Sequence, residues 1–399
     1  MTSRLITLIF VATTIIGLLS ACTSLTRNPV PTEKIHEVER AGYSDIRAWG
    51  GEFNEAFQQD IILSVKQEGK NDFPRTADGK LKYSILILSG GGENGAFGAG
   101  VLYAWTKSGK RPKFKLVTGI STGALIAPFA FLGPKYDEAL KKVYTEISGK
   151  DIFETKSVFA LFSDESLVDS TPLKDLVSLS VTDEMIKEIG KAHQAGRRLY
   201  IGTTYLDADS LVVWNMGKIA ASGREDTAQL FRDIMVASAS LPGVFPPVYL
   251  DAFIDGQRYD EMHVDGGLKA QMIYYGATMN MAAARKQAFG KNEPQKSRIY
   301  IIRNGKYSPE PKPVSREIGD ILGRTISSMT KSSGVGDLYR IYSFAKRDGI
   351  DFNFIAIPAS YEKKSEEPFD TEDMNRLFNI GYDMSIKGIK WQKAPWGLE

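Results

Sequence analysis

Ser121 lies in the pattern Gly119-Ile-Ser121-Thr-Gly123, a G-x-S-x-G sequence that can present a nucleophilic hydroxyl. Small residues two positions before and after a serine allow a strand to turn sharply into a helix at that serine. Such a turn exposes the serine oxygen at the helix N-terminus, where backbone N–H groups and the helix dipole favour negative charge. The pattern therefore predicts a nucleophile if a strand precedes Ser121 and a helix follows it.

The segments on both sides of Ser121 meet this condition. Residues 114–118 are β-prone, and residues 122–132 are almost wholly apolar, as expected of a buried helix. Further upstream, residues 83–88 form a β-rich apolar run that is typical of a buried parallel strand. Strands and helices alternate along the rest of the chain, which predicts one α/β domain with a mostly parallel sheet.

Glycines follow the first of these strands. Gly90–Gly95 reads Gly-Gly-Gly-Glu-Asn-Gly and satisfies the G-x-G-x-x-G pattern of dinucleotide sites. That pattern also requires an acidic residue about twenty positions later, and residues 109–118 contain none. We therefore favour an oxyanion hole, because glycines let backbone N–H groups approach a reacting carbonyl closely.

A serine hydroxyl needs a base to become a nucleophile. The chain has 3 histidines. His36 and His193 lie in polar stretches, and we expect both on the surface. His263 is close to Asp265-Gly-Gly267, where a carboxylate at the end of a short strand would lie on a tight, unhindered turn. Both His263 and Asp265 are therefore candidates for the residue that activates Ser121.

These motifs occur in the order that resembles the patatin-like phospholipases. The resemblance rests on Gly90–Gly95, Gly119–Gly123 and Asp265–Gly267, and on the Ser- and Pro-rich segment Ala237–Pro247. It extends over about residues 83–270. The resemblance implies a three-layer α/β/α fold with a mostly parallel central sheet.

The resemblance also implies the chemistry. Ser121 would be the nucleophile and Asp265 the general base of a Ser–Asp dyad, and the backbone N–H groups of Gly91 and Gly92 would form the oxyanion hole. The enzyme would cleave lipid acyl esters, as a phospholipase A or lysophospholipase does, through an acyl-enzyme. The family commonly has Arg or Lys where this chain has Asn94.

Two alternatives stay open at this point. One is a Ser-His-Asp esterase that uses His263 as its base. The other is a non-catalytic lipid- or protein-binding lipoprotein built on the same fold, for which Asn94 is the sequence feature.

The N-terminus resembles a bacterial lipoprotein signal peptide. An apolar run from Leu5 to Leu19 ends in Leu19-Ser-Ala-Cys22, and Cys22 is the single cysteine of the chain. The run is short for a membrane span. The resemblance implies cleavage after Ala21, lipidation of Cys22 and, with Thr23 next, an outer-membrane location facing the periplasm.

The resulting organisation has four parts: a signal peptide (1–21), a lipidated tether (22–34), an N-terminal helical extension (35–80) and the acyl hydrolase domain (81–399). We expect an amphipathic helix over 43–68 in the extension, and two separate helices over 314–330 and 335–347 in the domain.

Composition limits the partners. With 50 Lys+Arg against 48 Asp+Glu the net charge is +2, and no basic block is present, so nucleic acid is not an expected partner. The expected partners are membrane lipid and acyl-ester substrate. No cofactor or metal is expected, because Asp207 and Asp209 are typical of a turn rather than of a ligand set.

Overall fold

The computed structural model describes residues 26–398 apart from positions 39 and 41 and segments 157–163, 275–280 and 291–295. The predicted signal peptide and Cys22 lie outside the described residues. Within these ranges, no helix is both long and apolar enough to cross a membrane.

The described part of the chain contains one nine-stranded sheet and a separate pair of short strands. The strands of the sheet are β1 Arg47–Trp49, β2 Ser84–Leu88, β3 Leu116–Ile120, β6 Arg198–Tyr205, β7 Ser210–Asn215, β8 Val248–Ile254, β9 Gln257–Asp265, β10 Arg298–Arg303 and β11 Asp351–Ala356, and the separate pair is β4 Glu154–Thr155 and β5 Val168–Asp169. The order in the sheet is β1-β7-β6-β3-β2-β10-β11, with β9 paired to β6 and β8 paired to β9. Its five neighbouring strands β6, β3, β2, β10 and β11 are parallel. The antiparallel pairs lie at the β6 side. The prediction of a mostly parallel sheet is confirmed.

Helices cover both faces of this sheet. Successive residues of β2 alternate between the two layers, so Ile85 and Ile87 pack in one core cluster while Leu86 and Leu88 pack in the other. This alternation is the period of a strand buried on both faces, and it confirms the three-layer α/β/α architecture. The helices are α1 Glu55–Lys66, α2 Gly95–Lys107, α3 Thr122–Leu132, α4 Asp137–Thr145, α5 Thr171–Ser180, α6 Asp183–Gln194, α7 Met216–Ala220, α8 Thr227–Ala239, α9 Met281–Phe289, α10 Ile318–Arg347 and α11 Thr371–Ile386.

The segment before the first parallel strand differs from the amphipathic helix predicted over 43–68. Only α1 (Glu55–Lys66) is helical there, with Asn54 accepting a hydrogen bond from the Phe57 N–H at its start. Residues of β1 instead pair antiparallel with β7 and extend the sheet. Ala48, at the centre of β1, is buried, so the apolar spacing that suggested one helix arises from a strand followed by a helix.

The prediction of two helices over 314–330 and 335–347 is also wrong, because α10 is one continuous helix of 30 residues. Gly334 lies near its middle, where an added Cβ would come within 1.9 Å of the Arg303 guanidinium. The glycine marks a close approach of the helix to the end of β10 and not a break in the helix.

His193 is buried, with 6% of its surface exposed, and not on the surface as expected. The last turn of α6 packs it against Gly217, and its Nε2 lies 3.8 Å from a carboxylate oxygen of Asp60. Burial lowers the pKa of His193 to about 3. His36 is exposed, as predicted.

Candidate active site

Ser121 lies at a sharp turn between β3 and α3. Its φ of 55° and ψ of −127° are outside the regions that non-glycine residues usually adopt, and strain of this kind is typical of functional positions. A Cβ on Gly119 would lie 2.3 Å from the carbonyl oxygen of Gly123, and a Cβ on Gly123 would lie 2.4 Å from that of Leu88. The two flanking glycines are therefore required by the crowding of strand and helix that the sequence pattern predicted.

Strand β6 brings Asp265 next to Ser121. Over its first part β6 pairs with β3, and the last pair of that ladder is Ile120 with Gly202. From the next residue onward β6 pairs on that side with β9, beginning with Thr203 and Asp265. The end of β3 and the end of β9 thus meet at consecutive positions of one strand.

The carboxylate of Asp265 is enclosed at this junction. The residue is 5% exposed, and one carboxylate oxygen accepts a hydrogen bond of 2.7 Å from the Gly267 N–H. Burial raises the pKa of Asp265 to about 6, although hydrogen bonds from the Ser121 hydroxyl and the Gly267 N–H act in the opposite direction. A carboxylate with this pKa is a better proton acceptor at neutral pH than an exposed aspartate is.

Two serines of the Ala237–Pro247 segment hold Ser121 and Asp265 in place, a role that the sequence analysis missed. The Ser238 hydroxyl accepts a 3.0 Å hydrogen bond from the Ser121 N–H and donates one of 2.7 Å to the carbonyl oxygen of Gly202. The carbonyl oxygen of Ser240 accepts a 2.8 Å hydrogen bond from the Asp265 N–H. The motif resemblance marked this segment, but only the fold shows what the Ser238 hydroxyl and the Ser240 carbonyl oxygen bind.

The glycine loop after β2 faces the same junction. Gly91 has a φ of 154°, and a Cβ there would lie 1.9 Å from the carbonyl oxygen of Asn304. In the part of the chain that the structure describes, the N–H groups of Gly91 and Gly92 have no hydrogen-bond partner. Unpaired N–H groups of this kind can receive the negative charge that develops on an acyl oxygen.

Asn304 fixes the start of this loop. Its N–H donates to the Ser89 hydroxyl at 2.8 Å, and its side-chain amide donates to the Ser89 carbonyl oxygen at 2.9 Å. Its side-chain oxygen accepts a hydrogen bond of 3.1 Å from the Gly98 N–H in α2. Asn304 follows the end of β10, far from the glycines in sequence, and no sequence signal identified it.

Glu93 connects the loop to the C-terminal part of the chain. Its carboxylate accepts a hydrogen bond from the Phe369 N–H and forms a 2.7 Å ion pair with Lys363. Asn94 beside it is partly buried. Lys363 therefore places a positive charge against Glu93, next to position 94, where the resemblance implies Arg or Lys and this chain has Asn94.

Gln271 and Asp337 support the turn after Asp265. The side-chain amide of Gln271 donates to the Gly267 carbonyl oxygen at 2.9 Å, and the Gln271 carbonyl oxygen accepts a 3.2 Å hydrogen bond from the Gly90 N–H. Asp337, which is 1% exposed in α10, accepts hydrogen bonds from the Gln271 and Met272 N–H groups. Through Gln271, Asp337 of α10 is linked to both the carboxylate turn and the glycine loop.

His263 occupies a different environment from Asp265. Its Nδ1 lies 2.9 Å from the Thr203 hydroxyl and its Nε2 lies 3.4 Å from Glu261. The ring stacks on Tyr205 and is fully buried, and burial lowers its pKa. The ring-nitrogen contacts do not include Ser121, so the geometry does not favour the esterase alternative that uses His263.

The remaining acidic candidates form ion pairs. Asp207 pairs with Arg27 at 2.6 Å, and Asp209 contacts Lys269. Among the described residues, no group of three or more His, Cys, Asp or Glu side chains could hold a metal ion.

Comparison with known proteins identifies the domain. The family model described as patatin-like phospholipase matches residues 86–275. The chain carries a patatin-like phospholipase domain. The domain contains the glycine loop, Ser121 and Asp265, and it is a domain of lipid acyl hydrolases. A solved structure of VipD from Legionella pneumophila is similar, with a TM-score of 0.38 and 11% identity over 79% of this chain and 69% of that chain. No curated protein sequence matches the chain.

Proposed function

We propose that this protein is a serine acyl hydrolase of the phospholipase A or lysophospholipase type that works through a Ser121–Asp265 dyad. The observation that supports it most strongly is the change of partner along β6, where Ile120 and Asp265 pair with the consecutive residues Gly202 and Thr203. This register is set by backbone hydrogen bonds, so the nucleophile and its base are positioned by the sheet itself.

The proposed reaction begins when the Ser121 oxygen attacks the acyl carbonyl and Asp265 accepts the hydroxyl proton. The N–H groups of Gly91 and Gly92 stabilise the oxyanion, and the alcohol leaves with the proton from Asp265. Asp265 then removes a proton from water, which attacks the acyl-enzyme. When the bond between the acyl carbon and the Ser121 oxygen breaks, Asp265 returns that proton to the Ser121 oxygen, and the fatty acid is released. Burial of Asp265 supports this role, since it raises the pKa to about 6 while the carboxylate stays ionised at neutral pH.

Fatty-acid release from defined phospholipid and lysophospholipid vesicles tests this proposal. We expect Ser121→Ala and Asp265→Asn each to reduce release by at least about a thousandfold. Asp209→Asn is the matched control and should retain activity. The Asp209 carboxylate lies on the same side of the sheet and is 89% exposed. Full activity of either dyad variant would refute the mechanism. Complete loss in a folded His263→Ala variant, with activity retained in Asp265→Asn, would favour the esterase alternative.

We further propose that Cys22 is lipidated and that the protein is anchored to the bacterial outer membrane, facing the periplasm. The support is the apolar run that ends in Leu19-Ser-Ala-Cys22 and the residue Thr23 that follows it. Mass spectrometry of the protein isolated from membranes should find an acylated N-terminal Cys22. An unmodified chain that keeps residues 1–21 would contradict this location.

A further inference from the structure

The N-terminal half of α10, Ile318–Met329, is an exposed amphipathic helix that we call the arm. Its large apolar side chains recur at helical spacing and are between 48% and 77% exposed: Ile318, Ile321, Leu322, Ile326 and Met329. At 3.6 residues per turn they share one face about 140° wide. No charged residue lies on that face.

The opposite face of the arm is polar and is tied to the chain by Arg324. Arg324 donates a 2.7 Å hydrogen bond to the Glu310 carbonyl oxygen, and the Lys331 amine, just beyond the arm, donates one of 3.0 Å to that of Ser308. The loop before the helix therefore supports the arm from its polar side. The apolar face is left open to solvent within the described part of the chain.

The arm projects past the edge of the sheet that carries the candidate site. The C-terminal half of α10 packs on the sheet through Leu338, Ile341 and Ala345, and the carbonyl oxygen of Lys331 accepts a hydrogen bond from Arg303 at the carboxyl end of β10. Residues 318–331 therefore continue the helix for about 20 Å of its length away from the half that packs on the sheet. Ser121 and Asp265 lie at the same edge, since both follow or end strands there.

Other apolar side chains and the N-terminal segment lie at this edge. Leu241, which follows Ser240, is 41% exposed, and Leu268, in the turn after Asp265, is 55% exposed. Arg27 pairs with Asp207 in the turn after β6, at the carboxyl end of that strand. Cys22 precedes Arg27 by five residues in the sequence.

We infer that the arm docks on a lipid surface and inserts its apolar face at the headgroup boundary, so that the Ser121 site faces lipid. An uncharged apolar face opposite a polar face, which here carries Asp320 and Arg324, is the amphipathic pattern of helices that lie in a bilayer interface. A lipid surface fits this edge better than a second protein copy does, because the substrates of the domain and the proposed lipid anchor at Cys22 belong to the same surface. The choice of a lipid surface rests on the proposed function, through the chemistry of the substrate and the proposed lipid anchor at Cys22.

Hydrogen–deuterium exchange of the full chain in vesicles of phosphatidylethanolamine and phosphatidylglycerol tests docking directly. Leu322→Glu puts a charge on the apolar face, and Ser327→Glu puts the same charge on the polar face. We expect the arm to be protected in the wild type and in Ser327→Glu, and protection to fall at least about tenfold in Leu322→Glu. Equal protection in the two variants would overturn the inference. Protection that disappears when the protein is diluted into more lipid would also overturn it, in favour of a second copy as the partner.

Turnover gives a separate readout. Leu322→Glu should hydrolyse vesicular phospholipid at least about tenfold more slowly than Ser327→Glu, while both hydrolyse a monomeric short-chain ester at the wild-type rate. Equal loss on both substrates would mean a structural defect and would overturn docking as the cause. If the wild type hydrolyses neither substrate, the proposed function fails, and the exchange experiment still decides whether the arm docks.

Discussion

Asp265→Asn should make the protein more stable at neutral pH while it abolishes activity. The ionised Asp265 carboxylate is enclosed by protein, and burial raises its pKa from 3.8 to about 6. Because the folded state binds the proton more tightly than the unfolded state does, folding is favoured by acid. The stability that this proton provides is complete below pH 3.8 and is lost as the pH rises to about 6.

The magnitude follows from this difference in pKa. At 1.36 kcal/mol per pKa unit, the ionised carboxylate reduces the free energy of unfolding by about 3 kcal/mol at pH 7 and above, and by about half of that at pH 5. An asparagine carries no charge at any of these pH values, and its side-chain oxygen can still accept the Gly267 N–H. Asp265→Asn should therefore exceed the wild type in stability by about 3 kcal/mol at pH 8, with a difference that shrinks towards pH 4.

Urea unfolding of the wild type and Asp265→Asn between pH 4 and pH 8, under identical solubilising conditions, measures this difference. Asp209→Asn is the control, since Asp209 is 89% exposed and its replacement should not raise the free energy of unfolding with this dependence on pH. A variant that is less stable than the wild type at pH 8 would refute the argument. So would a stability difference that does not change between pH 4 and pH 8, because the desolvated charge would then not be its cause.

Three further predictions concern turnover and the support of the site. Turnover should fall about tenfold per pH unit below pH 6, because protonated Asp265 cannot accept a proton; a pH–rate profile that stays flat down to pH 4.5 would contradict its role. Gly91→Ala should reduce kcat by about a hundredfold, because the new methyl group would lie 1.9 Å from the Asn304 carbonyl oxygen. A correctly folded variant with the wild-type kcat would exclude this loop as the oxyanion hole. Ser238→Ala should lower the free energy of unfolding by about 1–3 kcal/mol and reduce kcat, because it leaves the Ser121 N–H without its partner. Urea unfolding measures the first effect and steady-state kinetics the second. An unchanged kcat would show that the bond does not position Ser121.

Two local features of the candidate site could be predicted from the sequence because a short run of residue types marks each of them. Gly119 and Gly123, two positions on either side of Ser121, leave room for the close approach of backbone at that turn. The glycine loop follows its own strand directly. In both cases a short run of residue types marks the feature, although the backbone groups that exclude a side chain at Gly123 and Gly91 belong to Leu88 and Asn304, which are distant in sequence.

The supporting residues could not be predicted in this way. Asn304 binds Ser89, which is 215 positions away, and Ser238 binds the N–H of Ser121, which is 117 positions away. The burial of His193 likewise depends on Gly217 and on Asp60 in α1. Serine and asparagine are common polar residues, and nothing in their local sequence shows that a distant backbone group will meet them.

The sequence by itself determined the α/β order of elements, the serine at the strand–helix turn and the glycine loop, since hydrophobic periodicity and the spacing of glycines are read within a few residues. It also indicated Asp265 and His263 as candidates without separating them. Only the tertiary structure decided that Asp265 meets Ser121 while His263 packs between Thr203 and Tyr205. The reason is the pairing register of β6, which depends on hydrogen bonds between strands that are distant in sequence.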